Sequence, residues 1–191
     1  MNDAFIYGYA VEGENFTDRE AETKRLKANF EHGVNTLLIS NRRIGKTSLV
    51  RHVGRLVNPK KATVVYLDIF DCRSEYDFYN KLATAVLQQT SSKIDSILQN
   101  AKNFLSRVSP KISMGPDPTS EFSLSLGITP KEYAPEQILE LAENIAKKQK
   151  KRIVVCIDEF QQIGEFPDSL SVQKRLRGAW QLQQNVSYCL F

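Results

Sequence analysis

Asn35-Thr-Leu-Leu-Ile-Ser-Asn-Arg-Arg-Ile-Gly-Lys-Thr-Ser-Leu49 decides the fold. The apolar run Leu37 to Ile39 reads as a buried strand, within a strand spanning about 35–40. A short loop follows, and a helix-forming run begins at Lys46. Strand, loop with Gly-Lys-Thr, then helix is the order a phosphate-binding P-loop requires. Such a loop turns successive backbone N–H groups toward one point, and the new helix adds its unpaired N–H groups and the positive end of its dipole. On this reading Ser40, Asn41, Arg42, Arg43, Ile44, Gly45, Lys46, Thr47 and Ser48 surround a nucleotide's phosphates. Gly45 lets the backbone come close, Lys46 reaches the β- and γ-phosphates, and the Thr47 hydroxyl binds Mg²⁺. Ser40 stands where the pattern G-x-x-x-x-G-K-[ST] has its first glycine. A helix that merely starts after Gly-Lys-Thr would look the same over these few residues; the strand ahead and the amphipathic helix behind favour the P-loop.

A second stretch answers the first. Ile153-Val-Val-Cys-Ile-Asp-Glu159 is an apolar strand that delivers a carboxylate at its carboxyl end. Asp158 fits a Mg²⁺-holding Walker B position, and Glu159 fits the base that orients and deprotonates an attacking water. Phosphoryl transfer rests on positioned charge and an oriented nucleophile, so a nucleotide hydrolase needs both. Lys46 and Glu159 are therefore the candidate catalytic residues, and Thr47 and Asp158 the candidate metal ligands. The tandem acid, and the lack of an Asn-Lys-x-Asp run that would read guanine, point to ATP with Mg²⁺.

The bulk composition sets bounds around these motifs. The chain has 191 residues, 41% of them apolar and 25% charged, and a net charge of +4. That is an ordinary globular balance, sufficient for one domain over 1–191. The charge tolerates acidic partners without requiring nucleic acid. Cys72, Cys156 and Cys189 form no metal-ligand spacing with the two histidines. No run approaches the roughly 20 apolar residues of a membrane span, and the amino terminus is not basic like a signal peptide. The expected location is the cytoplasm.

Around the two motifs the pattern predicts an α/β alternation. A helix from about Asp18 to Glu31, with a capping box at Thr17–Glu20, stops at Gly33. The helix after the loop turns Leu49, Val53, Leu56 and Val57 inward. Val64 to Ile69 is a second apolar strand, and near-continuous apolarity in the strands implies a parallel sheet covered on both faces. A helix capped by Ser74 follows, with a break near residues 90–92. Residues 109–130 are rich in Pro, Gly and Ser and carry two alternating pieces, which read as a small β-hairpin or as a disordered insertion. Pro135 opens another helix, whose basic end from Lys147 to Arg152 reads as solvated. A helix over about 169–184, with Trp180 as a core anchor, and a strand over 186–191 close the chain.

The strings Phe16-Thr-Asp-Arg-Glu-Ala-Glu22, Ser40 to Leu49 and Ile157-Asp-Glu-Phe-Gln161 resemble the prokaryotic and archaeal ATPase domain family, P-loop ATPases at the AAA+/STAND border. The resemblance covers about residue 14 to the end. It implies that Phe16 to Arg19 approach the adenine base. It also implies a parallel sheet of order 5-1-4-3-2, of which this chain would supply strands 1-4-3-2. In that family a sensor residue, a fifth strand, a helical lid and further arginines come later. Their absence before Phe191 makes this chain, by expectation, a portion of a longer switch protein whose remaining region meets a DNA or protein client. An open edge on strand 35–40 would then favour self-association, and turnover by this portion alone would be slow or nil. Two other functions stay in play. One is a nucleic-acid-binding module, motivated by Arg42, Arg43, Lys174, Arg175 and Arg177. The other is an interaction module that keeps nucleotide for structure alone.

Overall fold

The computed structural model describes residues 19–41, 44–90 and 135–191. Five α-helices surround a four-stranded parallel sheet among these residues: α1 (Glu20–His32), α2 (Lys46–Leu56), α3 (Glu75–Thr90), α4 (Pro135–Gln149) and α5 (Ser169–Leu182). The strands are β1 (Thr36–Leu37), β2 (Ala62–Asp68), β3 (Arg152–Asp158) and β4 (Val186–Leu190), in the order β1-β4-β3-β2. This is the parallel α/β arrangement that the sequence pattern implied, and the strand order that the family resemblance implied. The 109–130 insertion and the helix break near 90–92 fall outside the described residues or at their boundary.

β3 lies at the centre, and its side chains alternate between two cores. Ile153, Val155 and Ile157 face α3, α4 and α5, where they join Phe78, Leu87, Ile138, Leu139, Leu176 and Tyr188. Val154 and Cys156 face α1 and α2, where they meet Leu26, Phe30, Leu49, Val50, Val53 and Cys189. Burial on both faces explains the unbroken apolar run of this strand. All three cysteines are buried and unbridged.

β1 corrects the expectation of a six-residue buried strand. Only two residues satisfy the ladder, in register with Cys189 and Leu190, followed by one more bond from Leu38 N–H to the Leu190 carbonyl. Leu37 is 60% exposed and Ile39 is 85% exposed. Both lie on the α3–α5 side, and no helix among the described residues reaches over β1 there. Only Leu38, on the other side, packs against the α1–α2 core. Asn35 does not extend the ladder either. Its side-chain oxygen accepts the Tyr188 N–H at 2.8 Å, in place of a backbone carbonyl.

The remaining differences are local. Leu56, expected inside, is exposed, and Val50 takes the inward place. β2 begins two residues earlier than the apolar pattern indicated and ends at Asp68. On its outer edge the Gln89 side-chain amide pairs with Tyr66 in both directions, accepting its N–H at 2.9 Å and donating to its carbonyl at 2.8 Å. The Ser74 hydroxyl accepts the Asp77 N–H at the start of α3, and Gly33 ends α1 in the left-handed conformation, φ 74°. Thr17 of the expected capping box lies outside the described residues. On the α3–α5 side of the sheet Trp180 stacks on Tyr188 with ring centroids 4.0 Å apart and tilts against Phe160, so it packs against the core as expected.

Candidate functional site

The carboxyl ends of β1 and β3 converge with the amino end of α2. Gly45 is the residue ahead of the helix, at φ 75°. That left-handed conformation suits glycine and turns the chain from loop into helix without a Cβ clash. Lys46, Thr47 and Ser48 form the first helical turn, with Ile44 and Asn41 exposed on the loop before it. Arg42, Arg43 and Phe16 lie outside the described residues.

The Thr47 hydroxyl donates to Asp158 Oδ2 at 2.8 Å, joining two residues 111 positions apart. Asp158 Oδ1 accepts the N–H of Glu159 at 2.9 Å. Asp158 is only half-buried, yet no Lys, Arg or His among the described residues pairs with it. Burial pushes its carboxyl up from the usual aspartate range, and the nearby Asp68 and Glu159 charges add to that, against the pull of the Thr47 and Glu159 donors. A carboxylate held beside a hydroxyl, crowded by other acids and lacking a cation, fits a divalent metal ion. Thr47 and Asp158 are the residues that would hold it.

Lys46 Nζ reaches back across the loop to the Ser40 carbonyl, at 3.4 Å. The Ser40 hydroxyl is buried and finds no hydrogen-bond partner among the described residues. An ammonium spent on one long backbone contact, and an idle hydroxyl under the same loop, suit a phosphate group entering there. Beside them lies a cavity of about 340 Å³, whose walls include Arg19, Asn29, Leu38, Ser40 and Lys46. Arg19, just ahead of α1, thus shares a cavity with the loop lysine. The volume falls within the range of small-ligand sites.

Glu159 sits immediately after β3 in the left-handed region, φ 55°. Its carbonyl accepts Gln162 N–H at 2.9 Å, at the start of a 3₁₀ turn over Phe160–Glu165. The next residue's N–H bonds to the Phe191 carbonyl at 3.1 Å, and Phe191 N–H bonds to the Ile157 carbonyl at 3.1 Å. The Glu159 backbone is therefore tied to the end of β4. Its side chain accepts from the Gln161 amide.

Two neighbours were missing from the sequence reading. Gln161 belongs to the quoted Asp-Glu-Phe-Gln string, but a lone amide carried no signal of contact. Asp68 had a usable signal. It ends the apolar strand β2 just as Asp158 ends β3, and the register places the two side by side.

Comparison with known proteins follows from this geometry. Residues 16–190 match the family model described as an ATPase domain predominantly from Archaea. No curated protein sequence matches the chain. Among solved structures, the Aeropyrum pernix ORC2 protein in ADPNP–ADP complexes is 15% identical, with a TM-score of 0.54, covering 98% of this chain and 43% of that one. The Aeropyrum pernix ORC1 protein in complex with DNA is 16% identical, with a TM-score of 0.53, covering 90% of this chain and 38% of that one. At these identities the likeness is one of fold. The chain spans about two fifths of the length of the solved proteins it matches. By its family match, over nearly its whole length, and by the sheet and loop that accompany it, the chain belongs to the ATPase domains found predominantly in Archaea.

Proposed function

We propose that the chain is the Mg-ATP-binding module of a larger switch protein. The Thr47–Asp158 hydrogen bond carries this reading, because it brings the first turn of α2 and the end of β3 to one point beside Lys46. Bound Mg²⁺ would draw charge from the β- and γ-phosphate oxygens. Lys46 supplies a mobile ammonium to the same oxygens. Glu159, held through its backbone and by the Gln161 amide, orients a water toward the terminal phosphate and takes its proton. Arg19 and its cavity receive the base and ribose.

Calorimetric titration with Mg-ATP tests the reading. Wild type binds, while Lys46→Ala and Asp158→Asn bind more weakly. Equal affinity in all three ends the proposal. Glu159→Gln lowers hydrolysis of ATP while leaving Mg-ATP binding intact.

The exposed Leu37 and Ile39 beside β1 also favour self-association along that strand. Light scattering at high micromolar concentration checks this, and a strictly monomeric chain rejects it. The larger protein's client is DNA or protein. The solved ORC1–DNA complex supports testing a DNA duplex first, at 50 mM salt, where electrostatic binding is strong.

A further inference from the structure

The amino-terminal end of the sheet, opposite the loop ahead of α2, carries a group of lysines. Ala62 and Arg152 open β2 and β3 in register, so the turn over 58–61 stands beside the turn over 149–151. Each turn is fixed by its own backbone. The Asn58 carbonyl accepts Lys61 N–H at 2.8 Å and Ala62 N–H at 3.2 Å, and the Asn58 side chain accepts Lys60 N–H at 2.9 Å. At the end of α4, Lys150 N–H bonds to the Lys147 carbonyl at 3.2 Å, and Lys151 N–H to the Ala146 carbonyl at 3.1 Å.

Part of this charge is spent within the fold. Lys61 meets Glu31 at 2.7 Å, Lys147 meets Glu143 at 3.4 Å, and Arg152 donates to the Gln184 carbonyl at 3.3 Å. Lys60, Lys148, Lys150 and Lys151 remain. None of the four pairs with a carboxylate among the described residues, and Lys60, Lys148 and Lys150 are exposed.

Lys150 adds an independent sign. It takes the left-handed conformation, φ 53°, just after α4. The two backbone bonds around it form a helix ending that glycine or asparagine normally completes, because a side chain is strained there. α1 meets the same need with Gly33. Lys147 and Lys148, in the last turn of α4, already answer the helix dipole. A lysine kept at a strained position, with no carboxylate partner among the described residues, indicates a partner outside the fold.

No large apolar side chain is exposed over 58–61 or 147–152, and neither segment contains an aromatic residue. A membrane surface calls for apolar groups that insert, and single-stranded nucleic acid for rings on which bases stack. Unpaired ammonium groups on two adjacent, fixed turns suit a regular row of phosphates instead. We propose that this end of the chain is a contact surface for the phosphate backbone of duplex DNA, made by Lys60, Lys148, Lys150 and Lys151, with no reading of the bases. β3 runs seven residues from here to Asp158, so at about 3.3 Å per residue the surface stands roughly 20 Å from the Thr47–Asp158 pair. It does not depend on the ATP reading.

Fluorescence anisotropy of the full chain with a short labelled DNA duplex tests the surface. Wild type binds at about 50 mM salt and loses affinity steeply toward about 200 mM. The double variant Lys60→Gln/Lys150→Gln binds about tenfold or more weakly at the lower salt, and its slope of log affinity against log salt is shallower by about 2. Lys150→Gly relieves the strained backbone, so it melts at a higher temperature than wild type while binding the duplex more weakly, a combination that a merely structural lysine would not give. Lys150→Arg keeps the binding, and all these variants keep their Mg-ATP affinity. The surface is overturned if wild type does not bind the duplex, or if the double variant and Lys150→Gly bind it as tightly as wild type. It is overturned too if phosphatidylserine vesicles or polyglutamate displace the duplex as well as unlabelled duplex does. Equal binding by the variants would leave a DNA client to another surface of the protein. Loss of Mg-ATP binding in wild type would end the ATP reading and leave this one standing.

Discussion

One face of the sheet is covered by α3, α4 and α5, and its core contains Phe78, Tyr79, Leu87, Ile138 and Leu176. The other is covered by α1 and α2, with a smaller core around Phe30, Val50 and Val53. The thinner side carries the loop ahead of α2 and the cavity beside Lys46. On the proposed reading the difference follows from what α2 must do: its amino end stays open for Lys46 and Thr47 to meet a ligand, and no further layer among the described residues seals it. The thicker side supplies burial. That reading assigns ligand chemistry and stability largely to opposite sides of one β-layer.

Matched core truncations give the largest expected effect and the most direct way to break this contrast. Leu87→Ala on the thick side and Leu49→Ala on the thin side each remove a buried leucine, at a cost of about 2–5 kcal/mol. Denaturant unfolding should place both in that range. Mg-ATP affinity of the folded protein should survive the first and fall in the second, because Leu49 packs directly behind the turn that holds Thr47. Equal affinities in the two variants would dissolve the division. Next in size is Lys46→Ala, which should weaken Mg-ATP binding by about 1.5–3 kcal/mol with little change in melting temperature.

Glu143 sharpens the contrast from the stabilising side. It is buried on α4 and accepts the backbone N–H of Asn185 at 2.9 Å and its side-chain amide at 2.8 Å, with Lys147 at 3.4 Å. Burial pushes its carboxyl up, but these donors outweigh that and hold it below the usual glutamate range. A group lowered by folding stabilises fully above its unfolded pKa, and the effect is lost as pH falls through the folded value. Glu143→Gln should therefore cost about 1–3 kcal/mol at pH 7. The gap from wild type should close on acidification, as followed by melting temperature from pH 7 to pH 3. A gap independent of pH would rule out the charge as its origin. The smallest effect is expected at Tyr66→Phe, which loses one hydrogen bond to the Val50 carbonyl and about 0.5–1.5 kcal/mol. Chemical denaturation reads it, and no loss would show that strand and helix are held together by packing alone.

The sequence made the central strands legible because β3 is buried on two sides and so lacks polar interruption. The placement of Gly45, Lys46 and Thr47 at the start of α2 was legible because Gly-Lys-Thr after an apolar run marks a turn into a helix, and that of Asp158 because it ends an apolar strand. β1 was misread for a physical reason. An apolar run shows preference for burial but not whether a covering layer exists, and Leu37 and Ile39 have none among the described residues. Leu56 failed similarly, since helical spacing allows a wider stripe than α1 covers. The Gln89–Tyr66 and Asn35–Tyr188 contacts had no local signature at all, because each side chain replaces a backbone partner supplied by a distant segment.

Glu159 holds a backbone conformation that ordinary residues avoid, at a cost of order 1–3 kcal/mol. Glycine or asparagine would rest there more easily, yet neither carries an acid. A search for heat-resistant versions of this chain would thus be drawn toward replacing that glutamate. The hardiest survivors would be those that had given up the acid to which the proposed hydrolysis is assigned.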